Sequence, residues 1–150
     1  MINGAWVLPQ SDEHAALFQQ LAKTTRGQGG HATVFNVTTA DDEDQAIVER
    51  FRADRSREYA EFATRGEGLL EEIDKETRLQ KFTFAELEEI EDDLAKLAAW
   101  LTKITTRDFF PNEQVESARQ MLRRCEQAQI QFAERVYAHE GLEADDENNP

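Results

Sequence analysis

Phe82-Thr83-Phe84-Ala85-Glu86-Leu87, continued at Ile90, Leu94, Leu97, Leu101 and Ile104, is the stretch that decides the fold. Thr83 and Glu86 have capping-box spacing: the Thr hydroxyl can accept from the N–H three residues on, and the Glu can reach back. Phe82 and Leu87 stand where a hydrophobic staple needs them, so this helix start is specified twice. Behind it the apolar residues alternate spacings of three and four, which lays a narrow stripe along one helix face. Such a stripe has to be covered by a partner helix.

The partner follows directly. Pro111 ends the connection, Asn112 can cap a last helix, and Val115, Ala118, Leu122, Cys125, Gln129, Phe132 and Val136 form its inner positions. Two seams joined by a short loop predict an antiparallel helix pair. Upstream, the acidic run Asp41-Asp42-Glu43-Asp44 suits a helix N-terminus, where carboxylates meet the positive end of the macrodipole. Ile47, Phe51, Tyr59, Phe62, Leu69, Leu70 and Ile73 then share a broad face of what is expected to be one long helix, with Gly66 and Gly68 as the places where it could kink or divide. Residues 41–140 are thus expected to form a bundle of long helices. Residues 141–150 hold four acids and no base and are expected to be a disordered tail.

The first forty residues follow a different grammar. Ala5-Trp6-Val7-Leu8 is an apolar run stopped by Pro9, and Ser11-Asp12-Glu13 is a helix start leading through Ala15, Leu17, Phe18 and Leu21. Gly27-Gln28-Gly29-Gly30 breaks that helix, and Ala32-Thr33-Val34-Phe35-Asn36-Val37 has the β-branched and aromatic content of a strand. Residues 1–40 therefore predict strand, helix, strand. Two strands and one helix leave faces uncovered, so the unit has to pack on something else. The fold class expected from the whole chain is mainly α within the α+β class.

Composition narrows the function. Hydrophobic residues make up 39% of the 150 and charged residues 32%, the mixture of amphipathic helices with solvated outer faces. No run approaches the length of a membrane span, and the N-terminus lacks a charged-then-apolar signal pattern, which points to the cytosol. The formal charge of −14 disfavours a broad phosphate-contacting surface for nucleic acid. Cys125 is the single cysteine, which excludes an internal disulfide or a CxxC motif; on the seam it reads as a small buried hydrophobe. His14, His31 and His139 share no ligand spacing, and Glu86, Glu88, Glu89, Glu91, Asp92 and Asp93 occupy positions between the seam residues, as on a solvated face. Neither a metal nor a cofactor is expected.

One local group stands out. Arg52, Arg55, Glu58 and Tyr59 lie close to the face of Phe51 and Phe62. Charged groups at a packed face need partners, so one reading is an Arg55–Glu58 ion pair at i,i+3 with Tyr59 beside it. The other is an oxyanion site at Arg52, Arg55 and Tyr59, because Arg offers a planar fork of donors.

The sequence also resembles the N-terminal domain family of the bacterial chromate resistance protein ChrB. The likeness is carried by Asn3-Gly4-Ala5-Trp6-Val7-Leu8-Pro9, Gly29-Gly30-His31-Ala32, Arg57-Glu58-Tyr59-Ala60-Glu61-Phe62 and the stretch from Lys81-Phe82-Thr83-Phe84-Ala85-Glu86 to Arg107-Asp108-Phe109-Phe110. The resemblance implies a ferredoxin-like unit in which Asn3-Gly4-Ala5-Trp6 sits in a hairpin midway. This chain would then be an N-terminally shortened member, with its start upstream of Met1, a second chain completing the sheet, or a reduced remnant; the family's separate C-terminal domain would also be lacking. The implied function is a non-enzymatic regulatory or accessory module responsive to chromate, acting through a homo-oligomer or partner protein. A structural helical interaction module without a ligand is the alternative. An enzyme of the ferredoxin-like nuclease kind would need acidic metal ligands on its strands, and Ala5–Leu8 and Thr33–Val37 offer none.

Overall fold

The structure, a computed structural model, describes residues 5–147, and of Asp41 and residues 142–147 the backbone alone. Among the described residues it consists of four helices: α1 (Asp12–Gly27), α2 (Asp41–Arg78), α3 (Phe84–Thr106) and α4 (Gln114–Glu147). The chain divides into two compact units, residues 1–46 and residues 47–150.

In the second unit α2, α3 and α4 form a three-helix bundle. Thr83 caps α3 as its sequence demands, with Oγ1 accepting from Glu86 N at 3.3 Å. Glu86 turns its carboxylate toward Lys81 Nζ, 3.4 Å away. Leu87, Ile90, Leu97, Leu101 and Ile104 are buried, and Leu94 is half-buried. Asn112 Oδ1 accepts from Gln114 N at 2.9 Å and opens α4. Helix directions follow from the contacts. The start of α3 meets the end of α4 through Phe84 against Tyr137, and α2 meets α3 through Phe62 against Trp100. Ser56 reaches Gln114 and Gly66 reaches Cys125, so α2 and α4 run parallel with α3 antiparallel to both.

The inner face of α2 consists of Tyr59, Phe62, Gly66, Leu69, Ile73 and Glu76, again in steps of three and four. The single long helix expected here is present, and α2 is continuous through Gly66 and Gly68. Gly66 marks a close approach: a Cβ there would stand 2.5 Å from Met121 Cγ, whereas a Cβ on Gly68 would meet nothing within 4 Å. The helix ends in a Schellman motif, with Lys81 N donating to Glu76 O at 3.1 Å and Gln80 N to Thr77 O at 3.1 Å. Gln80 carries the left-handed conformation, φ 56°, that this motif usually gives to glycine.

The first unit contains α1 between two irregular segments. Ser11 caps it by accepting from His14 N at 3.1 Å, and a second Schellman motif closes it, with Gly30 N donating to Thr25 O and Gly29 at φ 81°. The ferredoxin-like strand-helix-strand unit is corrected here: among the described residues there is no strand, and the fold class is all-helical. Ala5–Leu8 and Thr33–Val37 are irregular, and Trp6, Val7, Phe35 and Val37 are exposed. The physical reason is that β propensity measures fit to a pleated, half-buried surface rather than a preference of the lone backbone. No ladder among the described residues supplies that surface. The carbonyls next to these segments bond to α1 instead: His14 Nδ1 meets Pro9 O at 2.6 Å and Arg26 Nη1 donates to Ala32 O at 3.1 Å.

The backbone of residues 141–147 continues α4, inside the stretch read as a tail; residues 148–150 lie outside the described residues, as do Asn3 and Gly4 of the N-terminal motif. No helix among the described residues is long and apolar enough to cross a membrane.

Candidate functional site

Of the polar residues singled out in the sequence, Arg55, Glu58 and Tyr59 gather at the connection between α3 and α4, and Arg52 does not. One turn of α2 places Arg55, Glu58 and Tyr59 side by side, since i,i+3 and i,i+4 neighbours share a face. Tyr59 is buried, and its hydroxyl donates to Asp108 Oδ2 at 2.9 Å. Burial first, then the hydrogen bond and charge of Asp108, push the phenol above its ordinary pKa, so it remains protonated and a donor. Glu58 Oε2 accepts from Arg55 Nη1 at 3.1 Å and from Arg107 Nη2 at 3.1 Å. A single carboxylate oxygen is thus held between two guanidinium groups that come from sequence positions 52 residues apart.

The Arg55 and Glu58 side chains are 18% and 26% exposed, so this pair is partly withdrawn from water but reachable. An open hollow beside it is lined by Asp54, Arg55, Arg57, Glu58 and Glu61. Arg57 pairs with Asp54. Behind the pair Phe51 packs edge-on against Phe109, centroids 6.0 Å apart, and against Phe110 at 5.8 Å. Ser56 Oγ donates to Gln114 Oε1 at 2.7 Å. Consecutive turns of α2 therefore hold the α3–α4 connection by an aromatic cluster, a hydroxyl and a paired carboxylate.

Of the three expected oxyanion residues, Arg55 and Tyr59 belong to this junction. Arg52 is bound to Glu49 Oε1 at 2.9 Å on the exposed side of α2. The expected Arg55–Glu58 pair is present, and it is joined by Arg107 and Asp108. Those two escaped the sequence reading as site residues because they come from the far side of a tertiary contact. Their sequence signals were their place in the family-like stretch ending Arg107-Asp108-Phe109-Phe110 and the two aromatic residues beside them in a loop.

A second buried charge was missed as well. Glu76 is 3% exposed on the inner face of α2; its Oε1 accepts from Lys75 Nζ at 2.6 Å, and Oε2 lies 3.0 Å from Lys81 Nζ. Oε2 is outside hydrogen-bond geometry, so Lys81 acts on it through charge. Lys75 first and Lys81 next hold the carboxyl below the ordinary carboxylate range against the opposing effect of burial. The signal for Glu76 was the spacing of the buried face, on which it follows Ile73 by three.

The remaining candidates are structural. Cys125 is fully buried, its thiol donates to Gly66 O at 3.4 Å, and burial raises its pKa, so it stays a thiol. Glu88, Glu89, Glu91, Asp92 and Asp93 are exposed along α3, with Lys96 bound to Asp93 at 2.7 Å and Gln129 to Glu91 at 3.1 Å. His139 packs against the Phe82 ring at 6.3 Å, and His14 sits in the first unit on Pro9. Among the described residues no group of three or more His, Cys, Asp or Glu is placed to hold a metal ion.

Fold and junction together define a helical domain in which polar side chains clasp a long helix to an interhelical connection. Residues 1–143 match the family described as Protein ChrB, N-terminal, and the chain belongs to that family, which is related to chromate resistance. No curated protein and no solved structure matches the chain.

Proposed function

We propose that the chain is a non-enzymatic regulatory or accessory module of chromate resistance, and that it responds to an oxyanion at the α2 junction. The observation that carries the reading is the position of Glu58 Oε2, 3.1 Å from both Arg55 and Arg107. An oxygen between two guanidinium forks is what a bound oxyanion would present, so the internal carboxylate acts as the resident counter-ion. A tetrahedral dianion that displaces it draws Arg107 away from Glu58. Asp108 is the next residue, and the pull is passed to its bond with Tyr59 and to Phe109 and Phe110 on Phe51. Tyr59 serves as the anchor of the connection, since its proton is given to Asp108. Arg52 adds positive charge on the same helix.

Thermal melting of the chain with chromate, sulfate and phosphate tests this reading. A ligand that binds the native state at 100 times its Kd stabilises it by about 2.7 kcal/mol. Chromate is expected to raise Tm for the wild type and not for Arg55→Ala. An equal chromate shift in Arg55→Ala contradicts the site. A structural helical interaction module without a ligand is the second reading, favoured by the exposed Trp6 and Phe35; it expects no shift from any oxyanion.

A further inference from the structure

Trp6 is 87% exposed and Phe35 77%, and Val7, Leu17, Leu21 and Val37 also lie open. Single apolar residues are scattered over most protein surfaces. Here six fall within residues 1–40, while Ala22 is the one buried residue among the described residues of that unit. They are held in place rather than left loose. The bond from His14 to Pro9 O fixes the segment bearing Trp6 and Val7 to the start of α1, and the bond from Arg26 to Ala32 O fixes the segment bearing Phe35 and Val37 to its end. Leu17 and Leu21 are one turn apart on α1, beside the inward face of Phe18 and Ala22.

Charge decides what covers this surface. Residues 1–40 carry two acids and two bases, whereas residues 41–150 carry 29 acids against 15 bases, the whole of the net −14. An anionic membrane or a nucleic acid is repelled by such a chain, and a basic partner is drawn to residues 41–150 rather than to a segment without net charge. Two copies repel wherever those acidic residues approach each other; residues 1–40 are where they can meet without like charges opposed. A two-fold contact also needs only one self-complementary patch.

We propose that the apolar surface of residues 5–37 is the docking face for a second copy of this chain. The dimer forms by burial of Trp6, Val7, Leu17, Leu21, Phe35 and Val37 against their counterparts, and it is independent of the oxyanion reading, since none of these residues belongs to the α2 junction. Sedimentation of the full chain over a range of micromolar concentrations, at low and high salt, tests it. The mass is expected to rise with concentration from 17.2 kDa toward twice that value. Salt is expected to leave the dimer intact or to tighten it, because it screens repulsion and does not weaken apolar contact. Trp6→Glu and Phe35→Glu are each expected to raise the dimer Kd by about tenfold or more, a loss of ~1.4 kcal/mol. Unchanged far-ultraviolet circular dichroism shows that both variants remain folded. A wild type that stays monomeric up to about 100 μM, where Kd-limited association is readily seen, overturns the proposal. So does a dimer that survives in the double variant, or one that falls apart as salt rises. A monomer whose Trp emission shifts to the blue on uncharged vesicles assigns the face to a lipid surface and equally overturns it.

Discussion

Phe62 and Phe35 are the same residue type in two regions of one chain, and one is wholly buried while the other is 77% exposed. The bundle gives Phe62 a place because α2, α3 and α4 each carry apolar residues in steps of three and four, so every stripe finds another to cover it. The first unit has one helix and two irregular segments, and its apolar residues have no facing element of comparable size. The difference teaches that burial belongs to the pairing of faces rather than to the hydrophobicity of any one segment. A region that lacks its facing partner within the unit keeps its apolar side chains available for another molecule.

The largest effect that can break this comparison is expected from truncating the two rings. Phe62→Ala is expected to cost about 3–5 kcal/mol of bundle stability, the usual result of emptying a packed aromatic site. Phe35→Ala is expected to change the melting of a dilute sample by less than about 0.5 kcal/mol. Denaturant unfolding reads both, and comparable losses would mean that the regions do not differ as described.

A smaller effect separates two glycines two residues apart. Gly66→Ala meets Met121 and is expected to destabilise by about 1–3 kcal/mol, because overpacking exceeds the gain in helix propensity. Gly68→Ala meets open space and is expected to stabilise by roughly 0.5–1 kcal/mol. A stabilising Gly66→Ala would show that Met121 moves aside freely, and the close contact of α2 with α4 would lose its significance.

The most modest effect is expected in the pH profile. Lys75 and Lys81 depress the folded pKa of Glu76, so its contribution is present above the unfolded carboxylate value. That contribution is lost as pH falls through the lower folded value. The stability gap between wild type and Glu76→Gln is therefore expected to narrow on acidification from neutral pH. A gap that stays constant would mean that Lys75 and Lys81 do not act on the carboxyl through its charge.

These pairs also mark where the sequence was legible. The α3 start could be read because Thr83, Glu86, Phe82 and Leu87 act within one turn, and Ser11 and Gly29 were legible for the same local reason. Ala32–Val37 misled because strand-like content forms a strand only beside a ladder, and none of the described residues provides one. The single long helix of α2 was legible from its apolar spacing, but the role of Gly66 was not, since a sequence shows the missing side chain and not the Met121 that fills its space. Three of the five residues at the junction were visible as Arg55, Glu58 and Tyr59 on one helical turn. Arg107 and Asp108 were not, because an interhelical connection comes near α2 only once the bundle has closed.

The central claim is that the bundle covers its own apolar faces and the first unit does not. Hydrogen exchange of the full chain, followed at low and high protein concentration, tests it most directly. Slow exchange is expected in residues 59–76, 87–104 and 118–136 at both concentrations, with fast exchange in residues 5–40 that slows only when the chain is concentrated. Protection of residues 5–40 equal to that of the bundle in a dilute monomer would contradict the account.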